Sequence, residues 1–431
     1  MIVFVSFIAL VSSTCRCGSK WFLPQTETYV PQVRVYDLTA VEVDWNYAPL
    51  GTNAFQNRNF TVHEQEYTAK SVYRKCIYVD THGKIPNDGL LGPPLRALVG
   101  DSVRVTLRNN CSFTISLHVH GFQYTKDNEG ASSAGVRSAG DVIEVGGVFT
   151  YLYDVPESAG PLDDDDASTV LWAYHSHVEP TKDESTGLVG SIVVGRPSHC
   201  DWRTAVPLDV DTEIFSLWTV VDESQSRLAA ANNVTPLSHD EEHLKHSVNG
   251  FLFANQAPFV TRVGHIARWY LIAFGDERDI HSVHWHGATV VEQHRRTDVV
   301  PLFAAVFRVA DMVPAVAGLW PLHCHLLDHM SAGMSTFFRA LNNSAAALCE
   351  GKQGRITECL DDMLMDIDCA SGVATLAAAD AASASSLCAT PANSVLVVLL
   401  GIAVLIAVVV VVGIYAIWTV RTRRNGGLVA H

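Results

Sequence analysis

Positive charge is what this chain has least of: 30 Lys and Arg stand against 45 Asp and Glu, a formal net charge of −15. That balance argues against a nucleic-acid partner and for cationic partners or plain solubility. Charged residues of either sign make up only 17% of the chain while hydrophobic ones reach 48%, as in a globular protein with some membrane content. Long amphipathic helices are missing too, since no helical period is sustained between Lys20 and about Arg196.

Strand-like patterning takes their place. Val103, Val105 and Leu107 alternate with polar residues, and turn clusters such as Leu91-Gly92-Pro93-Pro94 punctuate the runs. The same grammar returns from about Asp211 to Leu341, with Ile214–Trp218 and Ala267–Ile272 as apolar runs. The prediction is an all-β protein with two β-sandwich or barrel domains, over residues 20–199 and 200–344.

The ends read differently. Ile2–Val11 is apolar and runs into Ser12, Ser13 and Thr14; although no basic residue precedes it, this predicts a signal peptide over 1–14. Val395–Trp418 is an uninterrupted apolar run, which predicts one transmembrane helix over 394–419. Arg421, Arg423 and Arg424 follow, placing the tail 420–431 in the cytoplasm and the bulk of the chain outside the cell or in a lumen, a single-pass type I topology at the cell membrane. Between lies 345–393, with Cys349, Cys359 and Cys369 ahead of an Ala/Ser-rich stalk. Sequons at Asn59, Asn110, Asn233 and Asn342 suit a glycoprotein. The pairing of Cys76, Cys111, Cys200 and the later cysteines stays open. Asp163–Asp166 reads as a solvated loop.

Histidine carries the chemistry. With 19 histidines in 431 residues chance gives about one His-x-His pair. There are four: His118/His120, His175/His177, His284/His286 and His323/His325. In a strand each pair turns both rings to one face, and eight converging imidazoles point to metal. In the segment Leu322–Met334 the pair His323/His325 brackets Cys324, with His329 and Met334 close behind. A thiolate, an imidazole and a thioether suit a blue-copper site that still needs one more histidine, while His323 and His325 reach a different metal. The two halves match as repeats: Ser116–Gly121 parallels Ser282–Gly287, and His175-Ser176-His177 parallels His323-Cys324-His325. Where the second half has His281, Cys324 and His329, the first has Ile115, Ser176 and Thr181, so only the second half can hold a thiolate-bound copper.

These four motifs resemble those of the multicopper oxidases, over nearly all of the chain before its apolar end. The resemblance implies cupredoxin-like Greek-key domains, with type 1 copper on His281, Cys324, His329 and Met334, and type 2 copper on His118 and His284. It implies a type 3 copper pair on His120, His175, His177, His286, His323 and His325, with electrons passing through Cys324 and dioxygen reduced to water. Tyr174–His177, Lys182-Asp183, Gly187–Gly190, Val220–Glu223, Ser247–Gly250 and Asp279–His281 look like the ceruloplasmin and hephaestin ferroxidases rather than the laccases. Those have six such domains and this chain two, so the resemblance implies a homotrimer closing head to tail, each cluster shared by two subunits. It also implies an iron site from Glu241, His246 and Asp328, completed by Glu277 of a neighbouring subunit, with Fe²⁺ and dioxygen as substrates and an iron transporter as partner. By themselves, Glu241 sits in a charged run of the kind that usually lies solvated, and Asp328 could serve only to orient His329. Competing readings are a laccase-like phenol, amine or cuprous oxidase, and a non-catalytic cupredoxin-like surface module; the latter expects broken copper motifs.

Overall fold

The structure, a computed structural model of the chain, describes residues 15–17, 20–22, 28–80, 89–133, 135–162 and 167–342. The expected leader, the Asp163–Asp166 run, the 345–393 segment, the 394–419 span and the tail lie outside the described residues. Among the described residues no helix is long and apolar enough to cross a membrane.

The first half packs two four-stranded sheets face to face. One runs Val72–Asp80, Val33–Asn46, Ser102–Asn110, Val148–Asp154; the other runs Gly92–Leu98, Val189–Gly195, Thr169–His175, His118–Val119. The expected alternation places Val103, Val105 and Leu107 inward, where with Tyr78 and Tyr151 of their own sheet they meet Tyr174 and Ile192 of the facing one. A disulfide between Cys76 and Cys111 ties strands of this half across a sequence separation of 35 residues, a loop closure worth about 2–4 kcal/mol.

The second half repeats the plan with a six-stranded and a five-stranded sheet. Strands Ile280–Trp285, Gly318–Cys324 and Ser335–Leu341 are neighbours in the five-stranded sheet, so the strands bearing His281, His284 and His323 run side by side. Trp218, Trp269, Trp285, Cys324 and Met334 share its core.

Helices are short. Val62–Thr68 and Pro180–Thr186 have seven residues each, and Leu327–Ser331 has five. The first is started by a capping box in which Thr61 and Glu64 exchange side-chain and backbone bonds.

Strands Val189–Gly195 and Ala267–Ala273 are buried at every residue and show no alternation. Their second face is covered by the other half of the chain: Leu171, Ala173 and Val193 pack on Phe215, Leu217, Tyr270 and Ile272. Buried polar groups fix this contact. Arg268, 1% exposed, donates to Ser168 and Thr169 of the first half and to Asp209 and Asp311, at 2.6–3.1 Å. Lys75 and Glu223, both fully buried, pair at 2.7 Å, and Tyr47 donates to the same carboxylate. Breaking either pair would strand a buried charge, so the two halves hold one arrangement.

Candidate functional site

Each histidine pair sits where a strand runs out. His118 is in register with His175, the last residue of its strand, and His284 is in register with His323. The second histidine of each pair falls just beyond the ladder and turns its ring back to the first. In the first half His118 lies 5.4 Å from His120 and 5.1 Å from His177, centroid to centroid. In the second, His284 lies 4.8 Å from His286 and 5.3 Å from His325. The result is two quartets: His118, His120, His175 and His177; His284, His286, His323 and His325.

The orientation of the rings is set from behind. His118 Nδ1 lies 2.8 Å from Glu129 O, His175 Nδ1 3.1 Å from Ser176 O, His284 Nδ1 3.0 Å from Asp298 O, and His323 Nδ1 2.9 Å from Cys324 O. With Nδ1–H donating outward, Nε2 is left to face its neighbours. His120 and His175 bring their Nε2 atoms to 3.2 Å, and His286 and His323 to 3.0 Å. Three imidazoles in each quartet have ligand atoms within 4.8 Å of one another. Nitrogen lone pairs converging at that spacing fit metal ions better than they fit each other.

Burial, followed by the neighbouring imidazoles, lowers His118 and His120 to about 4 and His175 to about 3. His286 and His323 are lowered by the same causes. His118, His120 and His175 therefore stay neutral and ligand-competent in mildly acidic solution. In the copper-free chain the folded state refuses protons that the unfolded state takes up below about pH 6.5, so stability present above that pH is lost as pH falls through about 4. The expected result is a thermal midpoint that drops between pH 7 and 4 without copper and that copper raises at every pH in that range. Scanning calorimetry at each pH checks this.

The thiolate site is separate and closed. His281, Cys324 and His329 are 1%, 0% and 7% exposed, with ligand atoms within 4.8 Å of one another. His281 Nδ1 lies 3.2 Å from His329 Nδ1, and Cys324 Sγ lies 3.8 Å from His329 Nδ1. Asp279 holds the far nitrogen of His281 at 3.1 Å. Met334 is fully buried in the same core, and its carbonyl accepts from the Cys324 N–H. Burial pushes the thiol up, but hydrogen bonds from His281, His329, Ser282 N–H and Leu326 N–H outweigh it and bring Cys324 down to about 6. A thiolate between two imidazoles, with a thioether in the same core, fits a copper ion.

The first half is filled differently at the equivalent place. Ser176 Oγ donates to Asp183 at 2.7 Å and accepts from the Ser116 N–H at 3.0 Å. Asp183 also accepts from the Val178 and Glu179 N–H groups. Ile115 is buried and Thr181 is exposed. The residues standing where His329 and Met334 would be are Asp183 and the buried Leu188, since Ser176 N–H donates to Leu188 O as Cys324 N–H does to Met334 O, and Leu188 N–H to Asp183 O as Met334 N–H does to His329 O. Hydrogen bonds complete this pocket without a metal.

Of the residues expected to hold iron, His246 is buried against the thiolate site: its ring lies 5.0 Å from that of His329, and its Nδ1 has no hydrogen-bond partner. Glu241 and Asp328 are exposed. Their charges, after burial and together with Glu66, raise the hydroxyl of Tyr67, whose ring meets His246 edge-on at 5.8 Å. The structure thus brings Glu241, His246 and Asp328 around one ring. Glu277 is exposed on the turn before His281, and among the described residues no contact joins it to the other three within one chain.

Two participants escaped the sequence reading. Tyr67 is presented by the Val62–Thr68 helix, and the Thr61-x-x-Glu64 capping box was its signal. Glu184, on Pro180–Thr186, reaches His175 Nδ1 at 3.3 Å and accepts from the Gly275 N–H. Burial and the charges of Asp279 and Asp183 push its carboxyl up to about 8. No local pattern announces a contact of that range. Among the described residues no ring contact joins the two quartets; Phe307 and Phe274 of the second half instead lie 5.5 Å from His120 and His175.

Paired mixed sandwiches with clustered histidines, and one buried site built from a cysteine and a pair of histidines, define a protein of cupredoxin-like architecture. Multicopper oxidase family profiles match residues 68–199 and 225–344. The chain belongs to the multicopper oxidase family, which makes oxidoreductases and whose cofactors are copper of types 1, 2 and 3. It is 35% identical to Ferroxidase HEPHL1 of Homo sapiens over 332 residues, which is 70% of this chain and 29% of that one. It is 31% identical to Homo sapiens Hephaestin, over 78% of this chain and 32% of the relative, and 30% identical to Homo sapiens Ceruloplasmin, over 74% and 32%. The chain therefore spans less than a third of the length of these relatives. Among solved structures, a multicopper oxidase matches with a TM-score of 0.51 at 21% identity, covering 72% of this chain and 89% of that one. The copper nitrite reductase of Nitrosomonas europaea gives 0.50 at 18% identity, over 72% and 95%. Those two likenesses concern the fold alone.

Proposed function

We propose that this chain is a copper ferroxidase that oxidises Fe²⁺ to Fe³⁺ and reduces dioxygen to water. The assignment gives type 1 copper to His281, Cys324, His329 and Met334, type 2 copper to His118 and His284, and the type 3 pair to His120, His175, His177, His286, His323 and His325. Copper so held supplies one-electron acceptance on the substrate side and dioxygen reduction at the histidine cluster. Everything else falls to the chain's own groups. Cys324 is bonded through the backbone to His323 and His325, so the thiolate site and the second quartet share one covalent segment. Asp279 fixes the His281 ring, and the carbonyls behind the quartets fix theirs.

His246 carries the iron reading. An orphaned imidazole nitrogen buried beside His329, with Glu241 and Asp328 acting on the Tyr67 ring that meets it edge-on, would offer Fe²⁺ one nitrogen near hard carboxylate oxygens and next to the electron acceptor. Burial, then the charges of His329 and His281, lowers His246 to about 3, so its lone pair is free at neutral pH.

Each quartet supplies half of the eight imidazoles that the cluster assignment needs, and the quartets of one chain do not touch. A head-to-tail homotrimer that brings His118, His120, His175 and His177 of one subunit to His284, His286, His323 and His325 of the next completes the cluster. Glu277 would reach the iron site of a neighbouring subunit in the same ring. The apolar 394–419 run would anchor the assembly in the cell membrane, facing outward or into a lumen, beside an iron transporter. The four sequons fit that placement, since Asn59, Asn110, Asn233 and Asn342 are all exposed.

The test is a double variant. Glu241→Ala with Asp328→Ala is expected to abolish saturable iron oxidation while phenol or diamine oxidation stays near the unsubstituted rate. Equal loss on both donors would remove the case for a dedicated iron site and favour a laccase-like oxidase.

A further inference from the structure

His175 differs from its counterpart in the second half in what stands behind it. Its Nε2 faces His120, so Nδ1 is the nitrogen turned away from the quartet. That nitrogen lies 3.1 Å from its neighbour's carbonyl at Ser176 and 3.3 Å from Glu184 Oε1. His323, in the matching position, has the corresponding carbonyl at Cys324, and the residue in the place of Glu184 is Met330, because Leu188 N–H donates to Asp183 O as Met334 N–H donates to His329 O. The repeat thus gains one carboxylate in the first half alone.

That carboxylate is held from the other half of the chain. Its side chain is 16% exposed, and it accepts from the Gly275 N–H across the contact between the halves. Gly275 opens the turn in which Asp279 holds His281, and it sits at φ +131°, where a Cβ would lie 1.8 Å from Asp279 Oδ2. The turn can therefore close on its aspartate only with glycine there. Phe274, the residue before it, lies against the His175 ring at 5.5 Å.

We propose that Glu184 is a positioning residue that orients His175 and anchors it to the Gly275–Asp279 turn, so that the half carrying the thiolate aims the histidine quartet of the other half. This rests on the reading of the quartets as copper ligands. A carboxyl oxygen accepting from Nδ1–H fixes the tautomer that leaves Nε2 free to face the quartet. The Ser176 carbonyl follows His175 in sequence and moves with it. Glu184 is the contact that ties the ring to a separate sheet.

The test compares Glu184→Leu with Glu184→Gln in the full-length chain. Gln keeps an acceptor for both N–H groups, and Leu removes it at similar size. Copper per chain and copper retention against a competing chelator are read alongside the thiolate-to-copper absorption band, which serves as an internal control for Cys324. The expected result for Leu is retention of cluster copper weakened about 10–100-fold with the thiolate band intact, and recovery of most of the retention in Gln. Unchanged retention in Leu would overturn the proposal. So would a Gln variant as defective as Leu, or a Leu variant that loses cluster copper, thiolate band and thermal midpoint together, since that marks a packing role. An unsubstituted chain that retains only thiolate-site copper would refute the quartet assignment beneath it.

Discussion

Cys324→Ser is expected to give a folded chain that holds one copper fewer, lacks the intense visible absorption of a thiolate-bound copper, and turns over neither iron nor organic donors detectably. The first half contains the evidence that serine fits such a place. Ser176 stands at the equivalent position with its hydroxyl hydrogen-bonded on both sides. In the second half the Ser282 N–H, 3.4 Å from Cys324 Sγ, would meet a serine oxygen in the same way. The loss of stability is therefore expected to stay at about 1–2 kcal/mol, one imperfect buried hydroxyl. What disappears is the soft donor that His281 and His329 hold near pH-neutral ionisation, with Cys324 at about 6. Visible and electron paramagnetic resonance spectra with metal analysis check the result. A variant that kept its blue absorption would place the chromophore elsewhere.

The second large effect concerns assembly. A chain with His118→Ala and His177→Ala is broken in the first quartet, and a chain with His284→Ala and His325→Ala in the second; each alone is expected to be inactive. Co-assembled at equal amounts into head-to-tail trimers, they rebuild one intact cluster in every mixed ring, which predicts recovery to about a quarter of the unsubstituted turnover. About three rings in four are mixed, and in each of those about one interface in three is intact. Refolding the two chains together and separately checks it. If the mixture stayed as inactive as its parts, clusters shared between neighbouring chains would be ruled out.

Much of this was legible in the residues because the signals were local. The Val103, Val105, Leu107 alternation announced a half-buried strand, and His323-Cys324-His325 announced rings and thiol on opposite faces of one strand end, where a histidine quartet and a thiolate cluster gather. Strands Val189–Gly195 and Ala267–Ala273 hid their period because both faces are covered, which only the contact between halves explains. His246 and Asp328 were singled out through the family resemblance, but Tyr67 comes from a helix far away in sequence, betrayed only by Thr61 and Glu64. Glu184 looked like one more charge beside Asp183, and its value lies in Gly275, a partner that no spacing rule could name.

The thiolate site is closed within one chain, between the strands Ile280–Trp285 and Gly318–Cys324. The cluster proposed here is not, since each chain brings only half of it. Colour and oxygen chemistry then answer differently to concentration. On dilution below the assembly threshold the blue band would persist while dioxygen reduction faded with a steep order in chain concentration, leaving a protein that takes one electron and has nowhere to send it.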